Sequence, residues 1–103
     1  MREFINNSII FKVGENAEDN WKIILAADRN SWWLHADNCP STHIIIDTDE
    51  VLEDDIQYAF SLCKAYTKRK VTSYVLTRVS NLKLGSKPGE VFFKKQTDLI
   101  KGI

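Results

Sequence analysis

The chain has 103 residues, 44% of them apolar, with 14 basic and 14 acidic side chains. That length suits one domain over residues 1–103 with its own core, and that apolar content excludes a disordered chain. The longest uncharged stretch, residues 38–46, is about half of a membrane-spanning helix, and the N-terminal residues lack the apolar run of a secretory signal, so no membrane span is expected.

Residues 8–13 form a short apolar run ending at Gly14 and predict a strand. Residues 15–27 predict a helix. Glu15, Glu18 and Asp19 crowd its positive end, and Ala17, Trp21, Ile24 and Leu25 recur with helical spacing. A turn at residues 28–30 leads to a strand at 31–36 that carries Trp32 and Trp33. A second turn at 37–40 contains Pro40, which the residue before it cannot meet in helical conformation. Residues 43–47 include Ile44, Ile45 and Ile46, a β-branched run that reads as a buried strand. Residues 49–67 predict the clearest helix, acidic at its start, basic at its end and striped by Leu52, Ile56, Ala59, Phe60, Cys63 and Tyr66. Residues 71–79 alternate as a strand, 80–89 form a basic loop closed by a Pro88-Gly89 turn, 91–93 are a further strand, and 98–101 a last short edge. The order β-α-β-β-α-β-β predicts an α+β fold in which two main helices pack on a mixed sheet.

The zero net charge hides an asymmetry. Residues 1–63 carry four basic and twelve acidic side chains, and residues 64–103 carry ten and two. Folded as opposed faces, such halves give a basic surface that holds phosphates and an acidic one that repels them; folded together, they give only a mixed surface. Dipole compensation accounts for the bases at the end of the second helix, but not for Arg78, Lys83, Lys87 or the Lys94-Lys95 pair.

His35, Asp37, Cys39 and His43 lie within nine positions. Their spacing matches no standard zinc pattern, so no metal is expected, and Gly14 belongs to no nucleotide-binding glycine motif, so no cofactor is expected either. Cys39 with His35 or His43 is the enzymatic alternative, a nucleophile beside a base, but any chain with two cysteines and two histidines offers that pairing, and no catalysis is expected. The two cysteines are also too few for a disulfide framework and fit a reducing, cytoplasmic compartment. Trp32 and Trp33, adjacent in a strand, point to opposite faces. One belongs to the core, and the other either packs under a helix or offers a stacking platform for a base.

Three motifs resemble the NFACT-R domain, the RNA-binding domain of the NFACT family of ribosome-associated quality-control factors. Gly14-Glu15-Asn16-Ala17-Glu18-Asp19-Asn20 is similar to the family's Gly-x-Asn-Ala-x-x-Asn at a helix start. Trp33-Leu34-His35-Ala36, with Pro40-Ser41-Thr42-His43-Ile44-Ile45-Ile46 after it, resembles the paired histidine motifs. Lys87-Pro88-Gly89-Glu90-Val91 is like the late Lys-Pro-Gly-x-Val. The likeness runs from Gly14 to the C-terminus. Ser31 stands where the family has Asp, and Ser41-Thr42 where it has Gly-Ser, so a loop built on glycine is in question. The family's larger proteins have further domains with no room in 103 residues, which suggests a free-standing copy or an excised domain.

The resemblance implies RNA, either tRNA or ribosomal RNA, and a translation or ribosome-quality-control setting. The basic segment supplies an independent physical reason, counterion release from phosphates. Lys68, Arg69, Lys70, Arg78, Lys83 and Lys87 are the expected phosphate contacts; Arg29, His35 and His43 are the expected polar or stacking contacts. Two alternatives stand beside RNA: DNA held by the same basic face, and a protein-interaction module docking on a ribosomal or translation partner.

Overall fold

The computed structural model describes residues 1–37, 39–97 and 99–101. Asn38 of the predicted second turn and Asp98 of the predicted last edge lie outside them. The elements are β1 (Arg2–Asn6), β2 (Ile9–Val13), α1 (Ala17–Ala26), β3 (Trp32–Ala36), β4 (Ile44–Asp47), α2 (Glu53–Tyr66), β5 (Ser73–Arg78), β6 (Leu82–Leu84), β7 (Val91–Phe93) and β8 (Leu99–Lys101), with a 3₁₀ turn at Val79–Asn81. The α+β class and the two main helices are as predicted.

Two strands are additional, and each has a local cause. β1 pairs antiparallel with β2 through a tight turn in which Asn7 and Ser8 both take positive φ, 51° and 65°. Two consecutive left-handed residues are the geometry that joins twisted antiparallel strands, and asparagine tolerates it well. β6 arises inside the predicted basic loop because Leu82 and Leu84 alternate with Lys83; Leu82 is buried, Lys83 is exposed, and the strand pairs with β7. The second helix starts at Glu53, later than predicted, where the Asp55 carboxylate accepts from the Leu52 amide at 2.9 Å and stops the first turn from fraying.

The main sheet runs β1-β2-β4-β3-β5-β8 with every ladder antiparallel. Its centre explains the isoleucine run. Successive strand residues face opposite ways, so Ile44, Ile45 and Ile46 are all buried only because both faces are covered. On one face α2 sets Ala59, Phe60, Leu62 and Cys63 against Phe11, Val13, Leu34, Ile44, Ile46 and Tyr74. On the other, Ile23 and Ile24 of α1 and Leu82 of the β6–β7 hairpin cover Trp33, Ile45 and Val75. The two tryptophans separate as alternation requires, with Trp33 1% exposed and Trp32 packed against the α2-side cluster. Among the described residues no helix is long and apolar enough to cross a membrane.

Candidate nucleic-acid interface

Four residues of the segment from Gly14 to Asn20 each do a separate job at one end of the sheet. A Cβ at Gly14 would sit 1.8 Å from Asn20 Oδ1, so glycine leaves the space that the Asn20 side chain fills. Asn20 Oδ1 in turn accepts from the His43 backbone amide at 3.3 Å. Asn16 caps α1, its Oδ1 accepting from the Asp19 amide at 2.8 Å. Ala17 is small because Gly89 passes over it: a Cβ at Gly89 would lie 3.2 Å from the Ala17 Cβ. Gly89 also has φ of +86°, the left-handed region that favours glycine. The hairpin loop is held there by Trp21, whose Nε1 donates to the Glu90 carbonyl at 3.0 Å. The first and third motifs, more than sixty residues apart, are thus one contact.

The histidine motifs meet beside it. His43 is 3% exposed, and its Nδ1 accepts from Trp33 Nε1 at 3.2 Å. His35 lies parallel to Trp33, ring centres 5.3 Å apart, and edge-on to His43 at 4.8 Å. Phe93 closes the aromatic cluster against Trp33 at 5.7 Å. Burial holds His43 neutral, pushing its pKa down to about 3, with the neighbouring His35 adding to the shift. Burial lowers His35 in the same direction. Position 41 needs no glycine. Ser41 has no positive φ and its Oγ accepts from the Ala36 amide at 3.0 Å, while the Thr42 hydroxyl donates to the Gly14 carbonyl.

An open groove of about 830 Å³ collects these parts, with Gly14, Asn16, Ala17 and Asn20 on one wall, His35, Thr42 and His43 on its floor, and Pro88 and Gly89 at one rim. Tyr66, Thr67, Lys68 and Arg69, which end and follow α2, form the other rim. The Arg2 guanidinium donates to Glu15 Oε1 at 3.0 Å at the same mouth, while Lys68 and Arg69 have no ion pair among the described residues.

Of the residues expected to contact nucleic acid, His35, His43, Lys68 and Arg69 line the groove. Lys70 follows directly and is exposed, and Lys87 is exposed beside Pro88. Lys83 is exposed on β6, and Arg29 lies by the 3₁₀ turn, its Nη2 3.4 Å from the Ser80 carbonyl. Arg78, expected as a phosphate contact, lies outside the groove and is engaged within the fold through Nη1. Its Nη1 lies 2.9 Å from Asp49 Oδ1, 2.6 Å from the Asp49 carbonyl and 2.5 Å from the Asn30 carbonyl. Its guanidinium also covers the Trp32 ring at 4.1 Å, so the stacking platform offered by Trp32 is already occupied. With Lys94 and Lys95 it lines a second, smaller hollow. Lys68 and Arg69 thus stand beside the histidines, and Arg78, Lys94 and Lys95 stand together in the second hollow.

Tyr66 and Arg2 were missed as site residues. Tyr66 reads in sequence as the last position of an apolar stripe, yet it is 38% exposed and walls the groove. Arg2 sits in a strand that carried no clear signal. Cys39 packs against the α2-side cluster and does not line the groove, and burial raises the pKa of the Cys63 thiol. Among the described residues no three His, Cys, Asp or Glu side chains converge as a metal site would require.

No protein-family model matches the chain. The Rqc2 homolog RqcH of Bacillus subtilis (strain 168) is 31% identical to it over 90 residues, 82% of this chain and 16% of that protein. The chain thus spans about a sixth of the length of that relative. The C-terminal part of the fibronectin/fibrinogen-binding protein from Streptococcus suis (FBPS) superposes with a TM-score of 0.86 at 20% identity, over 97% of this chain and 43% of that one, a likeness of fold. The family likeness carried by the three motifs is the one that the RqcH match supports: the chain is a relative of the NFACT family, over a segment the size of one domain.

Proposed function

We propose that the chain is a non-catalytic RNA-binding module that works in ribosome quality control, with tRNA or ribosomal RNA as its ligand and the ribosome as its surroundings. One observation carries the reading: three motifs far apart in sequence build a single groove, and its rim holds two cations without a carboxylate partner among the described residues, Lys68 and Arg69. Side chains committed to no internal partner are free to replace the counterions of a phosphate backbone. The likeness to RqcH supplies the ribosome quality-control setting, and a cytoplasmic location goes with it.

Filter binding to tRNA and to a DNA duplex at two salt concentrations tests this. Affinity for tRNA should fall steeply with salt. The double variant Lys68→Glu, Arg69→Glu should weaken binding and flatten the slope of log K against log salt by roughly one to two. Equal affinity for DNA would assign the groove to phosphates alone, because the 2′-hydroxyl is what separates the two backbones. Absence of any salt-dependent binding would refute the reading and favour a protein partner.

A further inference from the structure

On the reading of the groove as an RNA site, we infer that its floor receives one unstacked nucleotide, recognised by a donor from His43 and an acceptor from His35. The tautomers follow from the partners. His43 Nδ1 accepts from the Trp33 indole N–H, which can only donate, so the ring proton of neutral His43 is on Nε2. His35 Nδ1 lies 2.6 Å from the Ala36 carbonyl, which can only accept, so neutral His35 carries its proton on Nδ1 and leaves Nε2 as an acceptor. No hydrogen bond links the two rings to each other, and both line the groove. A ring that is 3% exposed, fixed by Trp33 and opening into the groove through its uncommitted edge, is a preorganised donor.

A donor beside an acceptor is what the edge of a nucleobase complements, whereas a phosphate accepts only and would leave His35 Nε2 unmatched. Such edges are engaged in a duplex, so the base must be unpaired. The rest of the groove suits the remaining parts of one nucleotide. Tyr66 offers an exposed ring on the wall for stacking, and Lys68 and Arg69 stand next to it in the chain, where the adjoining phosphates would lie. The groove's 830 Å³ falls in the range of sites that enclose a small ligand.

The test compares a fluorescein-labelled single-stranded RNA of mixed sequence with a blunt RNA duplex of the same length, by anisotropy in low salt. The single strand should bind more tightly. His35→Phe keeps a ring to lie on Trp33 but removes the acceptor, and should cost the single strand about fivefold to tenfold while leaving the duplex unchanged. His35→Gln, which restores an acceptor, should recover part of the loss. Tyr66→Ser also gives up a tilted ring contact with Phe4 at 6.2 Å, so its fold is checked by circular dichroism; once folded, it should cost the single strand about tenfold or more. If the duplex binds as well as the single strand and the variants affect neither, no nucleotide enters the groove, although RNA binding stands. If neither RNA binds, the proposed function falls, and this inference with it.

Discussion

The two ends of β3 carry similar chemistry and put it to different use. At the Trp32 end an indole, a guanidinium and a carboxylate satisfy one another: Arg78 covers Trp32 and pairs with Asp49, while Trp32 Nε1 donates to the Asp49 carbonyl at 3.0 Å. At the His35 end each imidazole has one nitrogen committed and one uncommitted, and the nearby Lys68 and Arg69 have no carboxylate partner among the described residues. The charges of α2 follow this axis. β4 runs from the histidine end to Asp47, and α2 returns from its acidic first turn at Glu53, Asp54 and Asp55 to Tyr66, with Lys68 and Arg69 just beyond. Counting charges treats Arg78 and Arg69 alike; what separates them is whether the fold has already supplied a partner.

Truncating the two indoles should show the difference at its largest. Trp33→Ala removes a wholly buried ring from the middle of the α1-side cluster and unpairs His43 Nδ1, and should cost about 3–5 kcal/mol in urea unfolding. Trp32→Ala, at a half-buried ring, should cost clearly less. Equal losses would mean that the two ends of β3 are not organised as described.

Acid should act on the histidine end with the next largest effect. His43 titrates near its ordinary value in the unfolded chain and down to about 3 when folded. Between those values the unfolded state binds the extra proton, so stability is complete above about pH 6.5 and is lost as pH falls towards the folded value. At pH 5 the loss should reach about 2 kcal/mol relative to neutral pH, and the lowered pKa of His35 works in the same direction. His43→Gln can still accept from Trp33 but does not titrate, and should flatten the dependence. A wild-type stability that does not change between pH 7 and 5 would show that His43 is not held neutral by burial.

The legible parts of the fold were those written in local pattern. The isoleucine run, the α2 stripe with its charged ends, and the strand ending at Gly14 specify their elements through burial periodicity and dipole compensation, which need no knowledge of neighbours. β1 was not legible because it is an edge strand with polar residues on both faces; its Asn7-Ser8 turn was the available signal. The site was legible in part. His35 and His43 stand out as residues, but nothing local says that Trp33 fixes one ring and flanks the other. The glycine at position 14 reads as a strand terminator, while its necessity comes from Asn20, six residues later and across a turn. Arg78 shows the same limit: its partners Asp49 and Asn30 are remote in sequence, so nothing local says that one of its guanidinium nitrogens is already engaged in the fold.

The smallest expected effect separates the two arginines most cleanly. Arg78→Leu should lose about 1 kcal/mol of stability, because the cation over Trp32 is only partly shielded and its ion pair faces solvent. It should leave RNA affinity unchanged, since the guanidinium does not line the groove. Arg69→Leu should do the reverse: stability within about 0.5 kcal/mol of the parent, as at other exposed positions without partners, and a measurable loss of RNA affinity with one fewer contact in the salt slope. Each variant removes one positive charge, so a binding surface that responds only to net charge must treat them equally. Only a surface in which availability decides gives opposite outcomes in the two measurements, and equal losses of RNA affinity would return the basic half of the chain to a diffuse electrostatic role.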